Sequence, residues 1–418
     1  MIRYPVFVRS SLNLLSLSSS PQTAYPMVSL SEKQQDAIRG IMSRAVESKT
    51  VPALFCGVTD QNGELFVHQA GRRVLGDPSS DLLDENAVFW ICSQTKLITT
   101  IAALQLIEQG KLQLSTPVSD ILPEVANPVV VTVVGEDRKP TTTTPATTPL
   151  TLGHLLNHTS GMEYNLDGQT LGTFPNSTAH AYGEDEDSST FFRLNQGSFP
   201  GQLLKFEPGT DFAYGLSTDF LGFVIERVSG KSLDQYFKEH IFSPLGITSA
   251  SFHLTPDLKE RLLPLSFRVG ENLEKFNDQV KIIPEKTNVN FGGVGLFSSQ
   301  KDYLALLRHL LQIKGGKAEN PILKAASGAA SLAKMFGLPE GSVQFGTGLM
   351  VTTVDFPGRR KKGTASWAGW ACTSYFMDPD IGIAAVFGTQ LLPSLGFDPT
   401  YEALWLEVEG AIYAGLEK

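Results

Sequence analysis

A serine and a lysine three residues apart, Ser93 and Lys96, stand at the start of a long apolar run. On a helix these two side chains project from one face on adjacent turns. A serine hydroxyl is too weakly acidic to attack a carbonyl unaided, but a desolvated lysine can be neutral enough to accept its proton. The pair therefore predicts covalent acyl transfer, with Ser93 as the nucleophile and Lys96 as its base.

The same spacing recurs at residues 298–301 and 331–334, so the pair alone is weak support. Ser299 and Asp302 indicate an ordinary helix capping box at the first of these positions. The second lies in an alanine-rich stretch that predicts a helix with solvated lysines. Only Ser93 has apolar residues on both sides, which would bury the first turn of its helix.

Composition restricts the classes of partner. The chain has 418 residues and a net charge of -9, which gives no electrostatic footprint for nucleic acid or an anionic membrane. No run reaches the roughly 18 apolar residues that span a bilayer. The three cysteines, Cys56, Cys92 and Cys372, are too scattered for a disulfide framework or a zinc site. We expect a reducing compartment, the cytoplasm.

Residues 1–28 differ from the rest because they carry arginines and serines but no acidic residue. This composition weakly resembles a mitochondrial transit peptide. The alternative is a disordered extension, since a clean helix start follows at Ser31.

Hydrophobic patterning predicts a hairpin near the amino terminus, a helical middle and strands near the carboxyl terminus. An Asn-Gly turn at residues 62–63 separates the two strands of the hairpin. Such an order favours an α+β fold in which both chain ends complete one antiparallel sheet. The predicted helices are residues 32–48, 93–108, 217–228 and 401–416, and the late strands are 346–354, 371–377 and 381–387.

Two stretches break this pattern. The threonine-rich residues 140–145 predict a low-complexity loop. The acidic residues 184–187 lie in a long polar segment and predict a solvated surface rather than a metal site.

Three further motifs follow Ser93 and Lys96: residues 155–161 (LLNHTSG), a Pro-Gly-Thr turn leading to Tyr214, and residues 291–296 (FGGVGL). Together the four motifs resemble the serine β-lactamase-like family. The likeness is closest to its class C, esterase and acyltransferase branch, and their order and spacing are similar to those of lovastatin-type acyltransferases of fungal polyketide pathways. The resemblance extends from about residue 30 to the carboxyl terminus.

The resemblance implies a β-lactamase-like α+β fold, with a central antiparallel sheet flanked by helices and a mainly helical domain. The active site would lie in the cleft between the two. We expect residues 29–85 and 290–418 to form the α/β domain and residues 86–289 the helical domain with loop insertions. Residues 1–28 would be a disordered or targeting extension.

By the same resemblance, Ser93 is the nucleophile, and Lys96 and Tyr214 are the proton-transfer pair. The backbone N–H groups of Ser93 and Trp370 would form the oxyanion hole. The segment from Trp367 to Gly369 would replace the late strand motif that is usually Lys-Thr-Gly. Separately, the glycines around Gly293 are expected to allow close backbone approach near the cleft.

Two departures from the antibiotic-hydrolysing pattern indicate the substrate. Trp367 stands where those enzymes place a lysine that attracts a substrate carboxylate. Leu216 stands where they commonly place an asparagine that hydrogen-bonds a substrate amide. Both changes favour a neutral or apolar acyl group, carried as an ester or thioester, over penicillins and cell-wall peptides.

The resulting hypothesis is a ping-pong transfer from a small-molecule acyl donor to an alcohol or to water. The donor is an ester or thioester, which a carrier protein or coenzyme A could present. No cofactor or metal is required, because the serine ester carries the group. A β-lactamase or penicillin-binding-type peptidase and a catalytically inactive binding protein of the same fold are the alternatives. A separate hydrolase site at His158 and Ser160 is disfavoured, since the chain has no Gly-x-Ser-x-Gly elbow.

Overall fold

The computed structural model describes residues 28–137, 139–164, 166, 176–180, 182–183, 185–276, 288–323, 330–331, 341–393 and 397–417. The predicted extension, residues 1–28, lies outside the described residues except for Val28. Among the described residues, no helix is both long enough and apolar enough to cross a membrane.

An eight-stranded antiparallel sheet occupies the centre of the molecule. Ile383–Gly388 pairs with Ala53–Asp60, the sixth and seventh strands in spatial order, so strands from the two ends of the chain are neighbours in the sheet. This confirms the predicted α+β fold, while the division into two domains stays a prediction. In spatial order the strands are Ala330–Ser331, Val343–Phe345, Met350–Thr352, Ala365–Gly369, Thr373–Asp378, Ile383–Gly388, Ala53–Asp60 and Glu64–Gly71.

Both faces of this sheet are covered by helices. All eight residues of Ala53–Asp60 are buried, because alternate side chains of a strand point to opposite faces. Phe55 joins the hydrophobic cluster that contains Leu304 of the helix Gln300–Lys314. On the other face, Cys56 joins a cluster with Trp405 of the carboxyl-terminal helix.

The remaining elements surround this core. The other α-helices are Glu32–Glu47, Thr95–Glu108, Leu152–Leu156, Asn176–Ala179, Ser188–Gln196, Ser217–Ser229, Leu233–Phe237, Ser243–Leu245, Pro256–Arg261 and Pro399–Ala414. Short 3₁₀ turns are Cys92–Gln94, Val118–Asp120 and Pro123–Val125, and Lys238–Phe242 is a π-helical turn. The small sheets pair Ser29–Leu30 with Leu416–Glu417, Val88–Trp90 with Phe297–Ser299, Val129–Val134 with Pro140–Pro145 and Leu203–Leu204, and Ser266–Val269 with Asn272–Lys275 and Leu391–Leu392.

The interpretation of residues 140–145 as a loop is wrong. Pro140–Pro145 is a strand that pairs antiparallel with the valine-rich Val129–Val134. Threonine is β-branched and suits a pleated, half-exposed surface, and prolines are tolerated at the ends of an edge strand. Repetitive composition concealed a normal edge strand.

The serines of the two other serine–lysine pairs lie in ordinary secondary structure. Ser299 caps the helix Gln300–Lys314 by accepting the Asp302 N–H at 3.1 Å, as predicted. Lys301 pairs with Glu85 at 2.6 Å. Ser331 lies in a short strand rather than the predicted helix, and Lys334 lies outside the described residues.

The acidic stretch has local roles where it is described. Asp187 accepts the Ser189 N–H at 2.8 Å and caps the helix Ser188–Gln196. Glu186 lies 3.0 Å from the ring of His180. Glu184 lies outside the described residues.

Candidate active site

Ser93 lies in a 3₁₀ turn, Cys92–Gln94, that leads into the helix Thr95–Glu108, here called the serine helix. Cys92 has a φ of 46°, a left-handed conformation that costs free energy in a residue with a side chain. The turn is held from outside, since the Tyr303 hydroxyl donates to the Gln94 carbonyl at 3.0 Å. This geometry leaves Ser93 8% exposed, at the surface of an otherwise buried helix start.

Lys96 is fully buried one turn further on. Its Nζ lies 3.2 Å from Ser93 Oγ, 3.0 Å from the Tyr164 hydroxyl and 2.9 Å from the Gly293 carbonyl oxygen. A neutral amine has two N–H donors and one lone pair. Two donations, to Tyr164 and Gly293, would leave that lone pair directed at the Ser93 hydroxyl. The site can therefore hold Lys96 as the acceptor of the Ser93 proton.

Tyr214 contacts Lys96 differently from what the sequence predicts. Lys96 Nζ faces its ring, 4.8 Å from the centroid. Its hydroxyl accepts a hydrogen bond from the indole N–H of Trp367 at 3.2 Å. The indole N–H of Trp367 thus orients the phenol.

Tyr164 is the tyrosine whose hydroxyl meets Lys96, and the sequence interpretation missed it. Its ring packs edge-on to Tyr214 with centroids 5.6 Å apart. Burial raises the pKa of Tyr164 well above its ordinary value, and Tyr214 and Asp219 act in the same direction. Its phenol therefore stays protonated at neutral pH. Its place just after the HTSG motif was the available signal, but nothing local showed that it would face Lys96.

Gly293 approaches the site as closely as the sequence predicts. A Cβ at this position would lie 2.5 Å from Oδ2 of the buried Asp219. The Gly293 N–H donates to Asp219 Oδ1 at 2.8 Å, while its carbonyl accepts from Lys96. Only a glycine fits between this carboxylate and this lysine.

The strand Ala365–Gly369 packs beside the Ser93 turn. A Cβ on Gly369 would lie 2.5 Å from the Ile91 carbonyl oxygen, so the approach requires glycine here too. Burial raises the pKa of the Cys92 thiol, and the N–H groups of Ala371 and Trp370 oppose this effect. The Trp370 N–H is therefore close to the residue that precedes Ser93.

Leu216 lies deeper than expected for a residue that contacts substrate. It is 4% exposed and packs in the main hydrophobic cluster. Its N–H donates to the Met162 carbonyl at 3.0 Å, just before the helix Ser217–Ser229 begins. This position gives Leu216 a packing role in the wall behind Tyr214.

His158 and Ser160 are held by packing and hydrogen bonding, in keeping with the structural roles that the sequence indicates. Ser160 Oγ lies 2.7 Å from Ser217 Oγ. The His158 ring packs with centroids 4.9 Å from both Tyr214 and Phe345. Burial and the nearby Lys96 lower the pKa of His158 well below its ordinary value, so the ring is neutral.

A metal centre finds no support within the part of the chain that the structure describes. No group of three or more histidine, cysteine, aspartate or glutamate residues there could hold an ion.

The central antiparallel sheet and a serine–lysine pair at its edge define a class of enzymes that transfer acyl groups through a serine ester. The chain belongs to the β-lactamase family, whose model, described as "Beta-lactamase", matches residues 38–409. This establishes the family that the sequence motifs resemble.

Similar proteins of known name indicate the class of enzyme more closely. A lovastatin esterase of Penicillium rubens is 31% identical over 373 residues, which cover 83% of this chain and 90% of the relative. A monacolin J acid methylbutanoyltransferase of Aspergillus terreus is 29% identical and covers 89% of this chain and 94% of its own. A simvastatin synthase mutant from Aspergillus terreus has a TM-score of 0.74 at 26% identity, covering 92% of this chain and 95% of that one. The chain is accordingly an enzyme of the acyltransferase and hydrolase class.

Proposed function

We propose that Ser93 takes an acyl group from an ester or thioester of a small, largely apolar metabolite and passes it to an alcohol or to water. The observation that carries this proposal is the 3.2 Å contact between Ser93 Oγ and the fully buried Lys96 Nζ. The names of the relatives, an esterase and an acyltransferase of fungal metabolites, support an acyl donor of this kind. A carrier protein or coenzyme A could present a thioester donor.

The first half-reaction forms the serine ester. Ser93 Oγ attacks the acyl carbon while its proton passes to Lys96 Nζ. The N–H groups of Ser93 and Trp370 stabilise the oxyanion. When the carbon–oxygen or carbon–sulfur bond breaks, the leaving group takes up the proton through Tyr214. In the second half-reaction an alcohol or water loses its proton to the same pair and releases the acyl group from Ser93.

The site has an aromatic residue where a cation would bind a substrate carboxylate. Trp367 is 8% exposed, and its indole donates to Tyr214. The pocket wall at this point is therefore neutral, which supports a neutral acyl group over a penicillin.

Trp367→Phe tests the contact between the indole and Tyr214. Phenylalanine keeps an aromatic ring but removes the N–H donor, so Tyr214 loses the hydrogen bond that orients its hydroxyl. We expect kcat/KM for p-nitrophenyl butyrate to fall about threefold to tenfold, the value of one neutral hydrogen bond. Trp405→Phe is the matched control, because Trp405 packs on the opposite face of the sheet. Equal loss in both variants would contradict the orienting role.

The covalent step is tested by intact-mass measurement after brief incubation with short acyl thioesters and p-nitrophenyl esters. We expect the native chain to gain the mass of one acyl group and Ser93→Ala to gain none. An alcohol acceptor should then discharge the native adduct faster than water alone if the enzyme is a transferase. Absence of any adduct, together with absence of turnover, would favour the inactive binding protein.

The cytoplasm is the proposed compartment. All three cysteines are free and buried, which suits a reducing environment. Involvement in secondary metabolism is proposed from the named relatives alone.

A further inference from the structure

Asp219 is a fully buried carboxyl group that the proposed acyl transfer does not use. It lies on the first turn of the helix Ser217–Ser229. Oδ1 accepts the Gly293 N–H at 2.8 Å, whereas Oδ2 has no hydrogen-bond partner among the described residues. Burying a carboxylate with an unsatisfied oxygen lowers the free energy of unfolding. Its role therefore lies in the effect that its charge has on a neighbouring group.

That group is Lys96. Gly293 connects the two residues, because its N–H is held by Asp219 and its carbonyl oxygen accepts from Lys96 Nζ at 2.9 Å. We infer that Asp219 is a positioning residue, which fixes Gly293 against Lys96 and stabilises by its charge the ammonium that forms when Ser93 gives up its proton. The inference rests on the proposed function, since it concerns the base of the same reaction.

Three other titratable groups around Lys96, those of Cys92, Tyr164 and His158, stay neutral. Burial raises the pKa of the Cys92 thiol and of the Tyr164 phenol, and burial lowers the pKa of His158. Tyr214 faces Lys96 with its ring. Among these described groups, Asp219 is therefore the one that supplies a negative charge to the lysine.

Asp219 itself has few charged neighbours. Burial raises its pKa to about 6, while Lys96 and the Gly293 N–H oppose this effect. Tyr164 and Tyr182 also face it, and burial raises the pKa of both phenols, so they carry no charge at neutral pH. At pH 7 the carboxylate is thus largely ionised and interacts chiefly with Lys96.

The charge has a direct consequence for catalysis. When Ser93 attacks, Lys96 becomes an ammonium, and the carboxylate stabilises this product of proton transfer. Asp219 therefore raises the maximal rate, and activity should fall as this carboxyl becomes protonated near its raised pKa of about 6.

Asp219→Asn separates these effects from simple packing. Asparagine has nearly the same shape and can still accept the Gly293 N–H, but it carries no charge. In the native enzyme protonation of Asp219 near its pKa of about 6 should lower activity, and asparagine has no carboxyl to protonate, so the acidic limb of the kcat/KM profile should move to lower pH. The maximal kcat should fall by about tenfold, because the ammonium loses its partner. The profile is measured with p-nitrophenyl butyrate from about pH 5 to 9.

Glu226→Gln is the matched control. Glu226 lies two turns further along the same helix and accepts the Leu233 N–H at 2.7 Å, away from Lys96. Its variant should keep the native profile. Asp219→Ser, which also retains an acceptor and removes the charge, should shift the limb as asparagine does and provides a second test if Asp219→Asn does not fold.

An unmoved acidic limb, or one that moves to higher pH in a folded Asp219 variant, overturns the inference. Ser93→Ala is measured in parallel to separate the two hypotheses. If Ser93→Ala retains native activity, the proposed function itself has failed. If activity depends on Ser93 but the limb does not respond to Asp219, only the positioning role is wrong.

Discussion

Ser93→Ala is expected to lower kcat/KM for p-nitrophenyl butyrate by about 10⁴-fold or more, to the level left by binding and the oxyanion donors alone. The substitution removes one oxygen from a residue that is 8% exposed, so the free energy of unfolding should change by less than about 1 kcal/mol. Steady-state kinetics give the first quantity, and urea unfolding followed by circular dichroism gives the second.

Ser298→Ala is a control within the same chain. Ser298 also precedes a lysine by three residues, but its hydroxyl donates to the Ser299 carbonyl at 3.0 Å. This variant should keep native turnover. If Ser93→Ala remained as active as Ser298→Ala, the nucleophile would lie elsewhere and the proposed acyl transfer would have no structural basis.

Local patterns were sufficient for most of the fold because the elements that build the sheet carry strong signals. The strand Ala53–Asp60 is an apolar run followed by an Asn-Gly turn, and the turn predicts its partner Glu64–Gly71. Pairing between Ile383–Gly388 and Ala53–Asp60 joins residues more than three hundred positions apart, as the order of elements indicated. The prediction of a loop at residues 140–145 is wrong because repetitive composition does not exclude a strand, and threonines pack well on a sheet edge.

The candidate site was predicted less completely, for a physical reason. Ser93 and Lys96 are close in sequence, so their contact follows from helical geometry. Tyr164 meets Lys96, and Asp219 meets Gly293, only through tertiary packing, and neither contact has a local motif that shows it. Trp367 was identified as a departure from the family pattern, but its hydrogen bond to Tyr214 required coordinates. Sequence thus indicates the candidate serine–lysine pair, and structure adds the groups that surround it.

Lys96→Met is expected to reduce kcat/KM by about 10³-fold or more, since no other described group is placed to take the Ser93 proton. Methionine has a similar length and no charge, so it fits the fully buried site. Lys301→Met is the matched control, because Lys301 pairs with the surface residue Glu85 and should leave turnover unchanged. Native activity in Lys96→Met would contradict its assignment as the base.

Stability supplies a second measurement on Lys96→Met, because Lys96 opposes the effect of burial on the pKa of Asp219. A buried carboxylate without a compensating charge costs about 3 kcal/mol when it stays ionised. Burial already raises the pKa of Asp219 to about 6, and loss of the lysine raises this pKa further. A carboxyl with a raised folded-state pKa loses stability as pH rises through that value. The variant should therefore be markedly less stable at pH 8 than at pH 5, by urea unfolding. Adding Asp219→Asn should restore stability at pH 8 but not activity, whereas equal losses at both pH values would show that the two groups are not coupled.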